Sequence, residues 1–331
     1  MLSTLKEQVR TPPRRLALWR AGRRLVTMPE AELPIRVRHK TASYHLMLLP
    51  VVVFLCVFSL YPLAGSVLAF KTFQASKGIW GSPWAGMENF TIVFSTPHFY
   101  QILRNTVFIA TMKIMLGLIV PLSFALLLNE VRAAGFKRTV QTITYLPYFL
   151  SWVNLAGVFK DLFTTTGMIN KVLGNLFGTE PVMFFANATA FPYIVVATDT
   201  WKDFGFNAIL YLAALASIDI GLYEAARIDG ATRWKQLLHV TLPGLVATIV
   251  LLAALSLQNV LNAGFEQILN LYNPLVYSTG DILDTYVYRM GLIDSQFEVA
   301  TAIGLMKSLV GFCFIYTANA LAGRYANYRI F

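Results

Sequence analysis

The sequence predicts an all-α membrane protein with six transmembrane helices and both termini in the cytoplasm. Three observations point there. Hydrophobic residues make up 56% of the 331-residue chain and charged residues only 13%, against about 25% charged in soluble domains. Six stretches approach the roughly 20 apolar residues a bilayer crossing needs. Lysine and arginine crowd onto one side of those stretches, 18 against 6 when the N-terminus is placed inside, as the positive-inside rule requires.

The six predicted spans are Leu46–Phe70, Asn105–Leu128, Val140–Phe159, Ala188–Ala216, Gly244–Asn262 and Val299–Ala322. Period-two alternation is absent, and an open sheet cannot satisfy its backbone in lipid, so each span reads as a helix. Pro50, Pro62, Pro121, Pro147 and Pro192 fall in or at the edges of spans, where neighbouring groups can re-satisfy freed carbonyls. Residues 1–45 read as a basic cytoplasmic segment and 46–331 as the membrane domain. The formal net charge is +10, and ten of the 27 basic residues precede Ser43. Since that arm leads straight into an apolar run, anionic lipid headgroups rather than nucleic acid are its expected partner. The first apolar run starts too deep for an ordinary cleaved signal peptide.

Two outer segments are more than connectors. Residues 80–104 are rich in aromatics, and Phe265–Glu298 carries Glu266, Asp281, Asp284, Asp294 and Glu298 against one Arg289. Either an interfacial helix with an ordinary loop or a partner-receiving surface accounts for them.

The cytoplasmic loop 218–243 carries the strongest pattern. Asp219 suits the N-cap of a short helix ending near Ile228. Gly230 suits the turn that follows, Ala231–Thr241 can form a second helix, and Pro243 marks the return to the membrane. Ala225 and Ala226 lack bulk, so another protein could approach the backbone there, and Glu224 adds one charge. The spacing of Glu224, Ala225, Ala226, Gly230, Val240, Leu242 and Pro243 resembles the cytoplasmic loop of ATP-binding-cassette (ABC) importer permeases. The triplet Asp229-Gly230-Ala231 is similar to the sugar-importer branch, while Ile220 stands where a proline is common. Further segments resemble the LplB-type polysaccharide permeases, a group similar to the larger membrane subunit of maltose importers. They are Pro83–Phe90, Arg104–Thr106, Ala125–Glu130, Phe136–Val153, Gly264–Arg289 and Thr301–Ser308. They also resemble permeases for alginate-like acidic oligosaccharides.

This resemblance implies the type I ABC importer permease fold in a bacterial cytoplasmic (inner) membrane. The implied partners are a second permease, two ATP-binding cassette subunits, an extracytoplasmic solute-binding protein and an oligosaccharide. It also implies that Glu224, Ala225, Ala226, Asp229, Gly230 and Ala231 couple to the ATPase. ATP and Mg would be bound by that partner, with no cofactor in this chain. Consistent with that division, the sequence contains no Gly-Lys pair and hence no phosphate loop. It has no Gly-x-Ser-x-Gly elbow, no His-Glu-x-x-His helix and no metal-ligand spacing among its four histidines. No catalytic residue or metal site is assigned. An enzyme would need a constellation absent from the chain. A stand-alone secondary transporter or channel, the alternative, would show paired repeats.

Ionisable residues inside spans mark the candidate substrate pathway: Lys113, Asp199, Lys202, Asp203 and Lys307. A charge at a helix centre costs about 2.5–3.5 kcal/mol on insertion scales, so these should face water, another helix or the second permease. Asp199, Lys202 and Asp203 share a helical face and are expected to neutralise one another. Lys113 and Lys307 have no acid within reach in their own spans. Cavity water, acids on the second permease or the carboxylates of a passing uronate are expected to compensate them. Gln258, Asn259, Asn262 and Phe265 offer amides for hydroxyls and a ring for a sugar face. Trp152, Asn154, Trp201 and Tyr211 offer similar chemistry, but helix packing and interfacial belts account for Trp152 and Tyr211.

Overall fold

The structure, a computed structural model, describes residues 36–257 and 259–325. Most of the basic N-terminal segment, Gln258 and Arg329 lie outside the described residues. The chain divides into two units, Met1–Ala64 and Gly65–Phe331. Within the first, helix α1 (Arg36–Leu55) runs into a π-helical turn, Cys56–Leu60, and a further turn, Tyr61–Leu63, that contains Pro62. Its side chains from Leu46 to Leu63 are exposed.

The second unit is built on two long helices. α3 (Pro97–Glu130) follows the short α2 (Glu88–Ser95) and packs along α7 (Phe191–Ala216). Between them in the chain come α4 (Ala134–Tyr145), α5 (Trp152–Phe163) and α6 (Met168–Phe177). After α7 come α8 (Ile220–Ile228), α9 (Arg233–Leu257), α10 (Phe265–Leu271), α11 (Leu283–Tyr288) and α12 (Phe297–Tyr325). No strand occurs among the described residues beyond an isolated bridge between Lys71 and Trp84.

Among the described residues, four helices are long and apolar enough to cross a membrane: Ser43–Phe70, Pro97–Glu130, Arg233–Leu257 and Phe297–Thr317. α7 with α8, bent by 66° between them, makes a fifth if the pair counts as one span. α7 itself has the length, but Asp199, Lys202 and Asp203 at its centre dilute every apolar window.

The stretch expected as a third span, Val140–Phe159, is not one helix. α4 tightens into a 3-10 turn at Leu146–Phe149, Leu150 is extended, and Ser151 N-caps α5 by accepting from the Asn154 amide at 3.4 Å. Pro147 supplies the reason, since it lacks an amide donor and crowds the preceding turn. A second correction concerns the helix expected over Ala231–Thr241, which does not stop before Pro243. α9 starts at Arg233 and runs through Pro243, because the π turn Leu237–Thr241 just ahead of it opens the hydrogen-bond ladder. α9 then ends at Leu257, so Asn259 and Asn262 lie in the following turn rather than in the span.

Three apolar clusters hold the second unit. Ile109, Leu155, Phe191, Val195 and Ile268 join α3, α5, α7 and α10. Phe99, Ile102, Leu283 and Ile303 join α3, α11 and α12. Ala125, Ala208, Tyr211, Leu215 and Leu245 join the other ends of α3 and α7 to α9. The segment 80–104 is folded rather than loose: buried Lys71 donates to the carbonyls of Ile79 and Trp80 at 3.0 and 2.8 Å, and Asn89 to those of Ala69 and Lys71. Phe265–Glu298 likewise packs inward through Gln267, Ile268, Ile282 and Leu283.

α4 crosses α7 at Gly205, where any Cβ would run into the Thr144 carbonyl. Gly205→Val is therefore expected to destabilise the chain by about 1–3 kcal/mol, the usual cost of overpacking. A lowered unfolding midpoint in detergent, with Gly311→Val as the uncrowded control, is the measurement; equal midpoints would refute the close crossing.

Candidate functional site

A cavity of about 480 Å³ opens between α3, α7, the turn after α9, and α10. Lys113 lies close to the middle of α3, about 24 Å from Pro97 and 26 Å from Glu130 at 1.5 Å per residue. The cavity therefore sits halfway along the longest helix. It occupies the polar gap between the cluster at Ala125 and Tyr211 and the two clusters nearer the start of α3.

Six of the eight expected pathway residues line it: Lys113, Asp199, Asp203, Asn259, Asn262 and Phe265. Lys202 and Lys307 do not. Thr200, Asn207, Ser256 and Asp284 also line it. Asn207 continues the i, i+4 row of Asp199 and Asp203 on one face of α7, a signal the sequence carried. Asp284 sat unassigned in the acidic segment Phe265–Glu298.

The lysines are compensated within the chain, contrary to expectation. Lys113 Nζ donates to Asp199 Oδ1 at 2.8 Å and to Gln267 Oε1. Gln267, fully buried, donates in turn to the Val195 carbonyl and to Thr198 Oγ1, each at 2.8 Å. Lys307 on α12 donates to Asp284 at 2.5 Å. The acids come from other helices, beyond the reach of helical spacing.

Lys202 is also reassigned. Its ammonium turns away from the cavity and donates to the Tyr148 carbonyl at 2.9 Å, capping the broken end of α4, over the rings of Tyr148 and Trp152. Its contact with Asp203 is 3.6 Å, and Asp199 pairs with Lys113 instead. Asp203 lines the cavity with one carboxylate oxygen buried and without a hydrogen-bond partner. Trp152 and Tyr211 pack in the apolar clusters, and Trp201 is half exposed against Phe159.

Gly264 fixes the entry of α10. Its φ of +93° favours glycine, and a Cβ there would meet the Lys113 ammonium. The arginine-asparagine-threonine run at 104–106 staples α3 to the segment before α11. Asn105 donates to the Ser278 and Asp281 carbonyls, and Thr106 Oγ1 accepts from the Leu283 amide at 2.9 Å.

Loop 218–243 forms a knob at the other end of α3. Asp219 accepts from the Gly221 amide at 2.9 Å, capping α8 as expected. Gly230 adopts φ +73°, and the Ala231 amide bonds back to the Ala226 carbonyl at 2.8 Å, closing α8 with a Schellman pattern. Glu224, Ala225, Asp229 and Gly230 are exposed, and Ala226 and Ala231 are half-buried. Ile228 is 88% exposed and Ile220 72%, an apolar surface left uncovered by this chain. Tyr223 bonds Thr241 at 2.9 Å, and Arg233 pairs with Glu130, the last residue of α3.

A bundle of long apolar helices around a central polar cavity, with a helical knob at one end, defines a multi-pass membrane transport permease. Residues 113–327 match the family described as the binding-protein-dependent transport system inner membrane component, and the chain belongs to that family. It is 40% identical to the protein LplB of Bacillus subtilis over 87% of this chain and 90% of that one. It is 38% identical to the polygalacturonan/rhamnogalacturonan transport system permease protein YteP of the same species, over 87% and 89%. Among solved structures, a chain of a bacterial ABC transporter that imports the acidic polysaccharide alginate superposes with a TM-score of 0.81. The two are 35% identical over 88% of this chain and 98% of that one. The fold is that of a type I ABC importer permease.

Removing one member of the Lys113–Asp199 pair strands the other's charge, at a cost of about 3–5 kcal/mol for a buried pair. Lys113→Met and Asp199→Leu should each lower the unfolding midpoint sharply, and the double variant should recover most of the loss. Additive losses would show that the two residues do not depend on each other.

Proposed function

We propose that the chain is the permease subunit of an ATP-driven importer and forms half of a pathway for oligosaccharides delivered by an extracytoplasmic binding protein. The observation that carries this reading is the mid-helix cavity, where amides, two hydroxyls and two aromatic rings meet paired charges. Such a wall bonds hydroxyls and can release them. The relatives support it, since the name of YteP describes polygalacturonan/rhamnogalacturonan transport, and one solved structure shows an alginate transporter with a pentasaccharide-bound periplasmic protein. In this reading there are six spans, with broken α4–α5 as the third and α7 as the fourth. Both termini are cytoplasmic, residues 1–45 form a cytoplasmic segment, and 46–331 form the permease domain in the bacterial inner membrane. A second permease completes the pathway. Two ATPase subunits bind ATP and Mg, and one of them docks on the knob through Glu224, Ala225, Ala226, Asp229, Gly230 and Ala231. The uncovered Ile220 and Ile228 supply apolar area for that contact.

Docking predicts that Glu224→Lys and Gly230→Pro abolish uptake while the chain still inserts. Normal uptake by both would overturn it. The topology is checked by single cysteines at Thr4, Thr232 and Ser278 in a chain with Cys56 and Cys313 replaced by alanine. Only Ser278→Cys should react with an impermeant reagent in intact cells.

An acidic substrate is a second reading, favoured by the alginate and polygalacturonan relatives. Lys113 can serve a uronate carboxylate only by exchanging it for Asp199, an ammonium being a flexible point charge suited to such transfer. Uptake of acidic and neutral oligosaccharides by the Lys113→Met/Asp199→Leu double variant, which removes the pair together, separates the cases: selective loss of the acidic one supports exchange, and equal loss rejects it.

A further inference from the structure

A second cavity, of about 380 Å³, lies at the start of α3, away from the knob. Its walls include His98, Gln101, Tyr277, Ser278, Tyr286 and Arg289. Gln101 is about 44 Å along α3 from Glu130 and about 18 Å from Lys113. With the knob inside, the 44 Å exceeds the roughly 30 Å hydrocarbon core, so this pocket opens at the outer surface.

The pocket is rigid where it matters. Both terminal guanidinium nitrogens of Arg289 donate to the carboxylate of Asp281, which is itself 2% exposed and accepts from Thr285 at 2.7 Å. The guanidinium carbon lies 4.5 Å from the ring centre of Tyr277 and 5.6 Å from that of Tyr286. Burial works against the charge, but Asp281 outweighs it and holds the Arg289 pKa above its ordinary value. A guanidinium has five donors in a fixed fork. Asp281 occupies one edge, and the side chain remains 21% exposed. The Gln101 amide is oriented by its bond to the Ser278 carbonyl at 2.5 Å. Fixed donors and an amide held beside aromatic rings suit a pyranose, which presents a rim of hydroxyls. Because Asp281 neutralises Arg289, the pocket does not require an anion.

α11 and the turn that follows it form a wall common to both cavities: Asp284 and Tyr286 of α11 line the central and the outer one, and Arg289, just past α11, lines the outer one. We propose that the outer pocket is a saccharide subsite, holding a trailing ring of a chain whose leading end occupies the central cavity. This rests on the reading of the chain as an oligosaccharide permease.

The test uses the complete transporter in proteoliposomes, with uptake measured for a disaccharide and a pentasaccharide of the same sugar. Ser278 contributes an exposed side chain, while only its carbonyl makes the bonds described. Ser278→Trp therefore fills the pocket without deleting them. KM for the pentasaccharide should rise roughly tenfold, equivalent to about 1.4 kcal/mol, while the disaccharide is unaffected. His98→Ala, on an exposed residue, should move the pentasaccharide KM in the same direction. It decides the matter if Ser278→Trp does not assemble. Equal effects on both lengths, or none on either, overturn the subsite. A wild-type transporter that moves neither sugar refutes the permease reading instead.

Discussion

An ammonium group inside a bilayer has to be matched from within the protein, and the matching of Lys113 fixes three helices at once. Its charge is met by Asp199 from α7 and by the amide of Gln267 from α10. Gln267 is then bound back to α7 through Val195 and Thr198. Each link satisfies a group that would otherwise be stranded, and a satisfied buried network specifies one arrangement of its helices. Gly264 belongs to the same constraint, since α10 can begin so near the ammonium only without a Cβ. Asp284 and Lys307 repeat the principle between α11 and α12. The paired charges also keep the cavity polar, because apolar clusters close the bundle on either side of them.

The backbone obeys a parallel rule. Lipid offers no water to freed carbonyls and amides, so a break must be satisfied where it occurs. At the Pro147 break, Lys202 caps the carbonyl of Tyr148 and Ser151 caps the next helix. Tyr148 stacks on Phe206, with ring centres 3.9 Å apart, holding the broken end against α7. Pro62 and Pro243 are handled differently: a π turn directly precedes each, and both helices continue. Proline therefore does different things in this chain according to what its neighbours can donate.

This explains what was legible in the sequence. The first helix of the knob could be read residue by residue, because its cap and its left-handed glycine are local; the second, which runs on through Pro243, could not. Five of the expected stretches contain long helices for the same reason: apolar length is a local property. The cavity-lining face of α7 was half legible, since Asp199 and Asp203 obey helical spacing. The partners of Lys113 and Lys307 were not, being 86 and 23 residues away along the chain. Nor could the sequence tell that Pro147 breaks a helix while Pro243 does not. That difference lies in a lysine on α7 and in a register shift, neither of them encoded beside the proline. Lys202 shows the hazard most clearly: an intramembrane charge read as a pathway residue is a backbone cap.

The knob's connections determine how a load applied there would reach the cavity. The pair of Arg233 with Glu130 is poorly suited to carry it, because both side chains are more than half exposed and exposed pairs are worth about 0–1 kcal/mol. The covalent route is stiffer. α8 leaves α7 at a 66° bend of only three residues, closed by the Asp219 cap, and α9 leaves the knob as an unbroken helix. Tyr223 and Thr241 tie α8 to α9. Displacing α8 therefore displaces the ends of α7 and α9 together, and the packed cluster of Ala125, Tyr211, Leu215 and Leu245 takes α3 with them. Packed interiors shift as units rather than deform. The first place along α7 where the packing yields to a cavity is the face of Asn207 and Asp203, and there the relative movement of α3, α7 and α9 would be felt as a change in cavity shape.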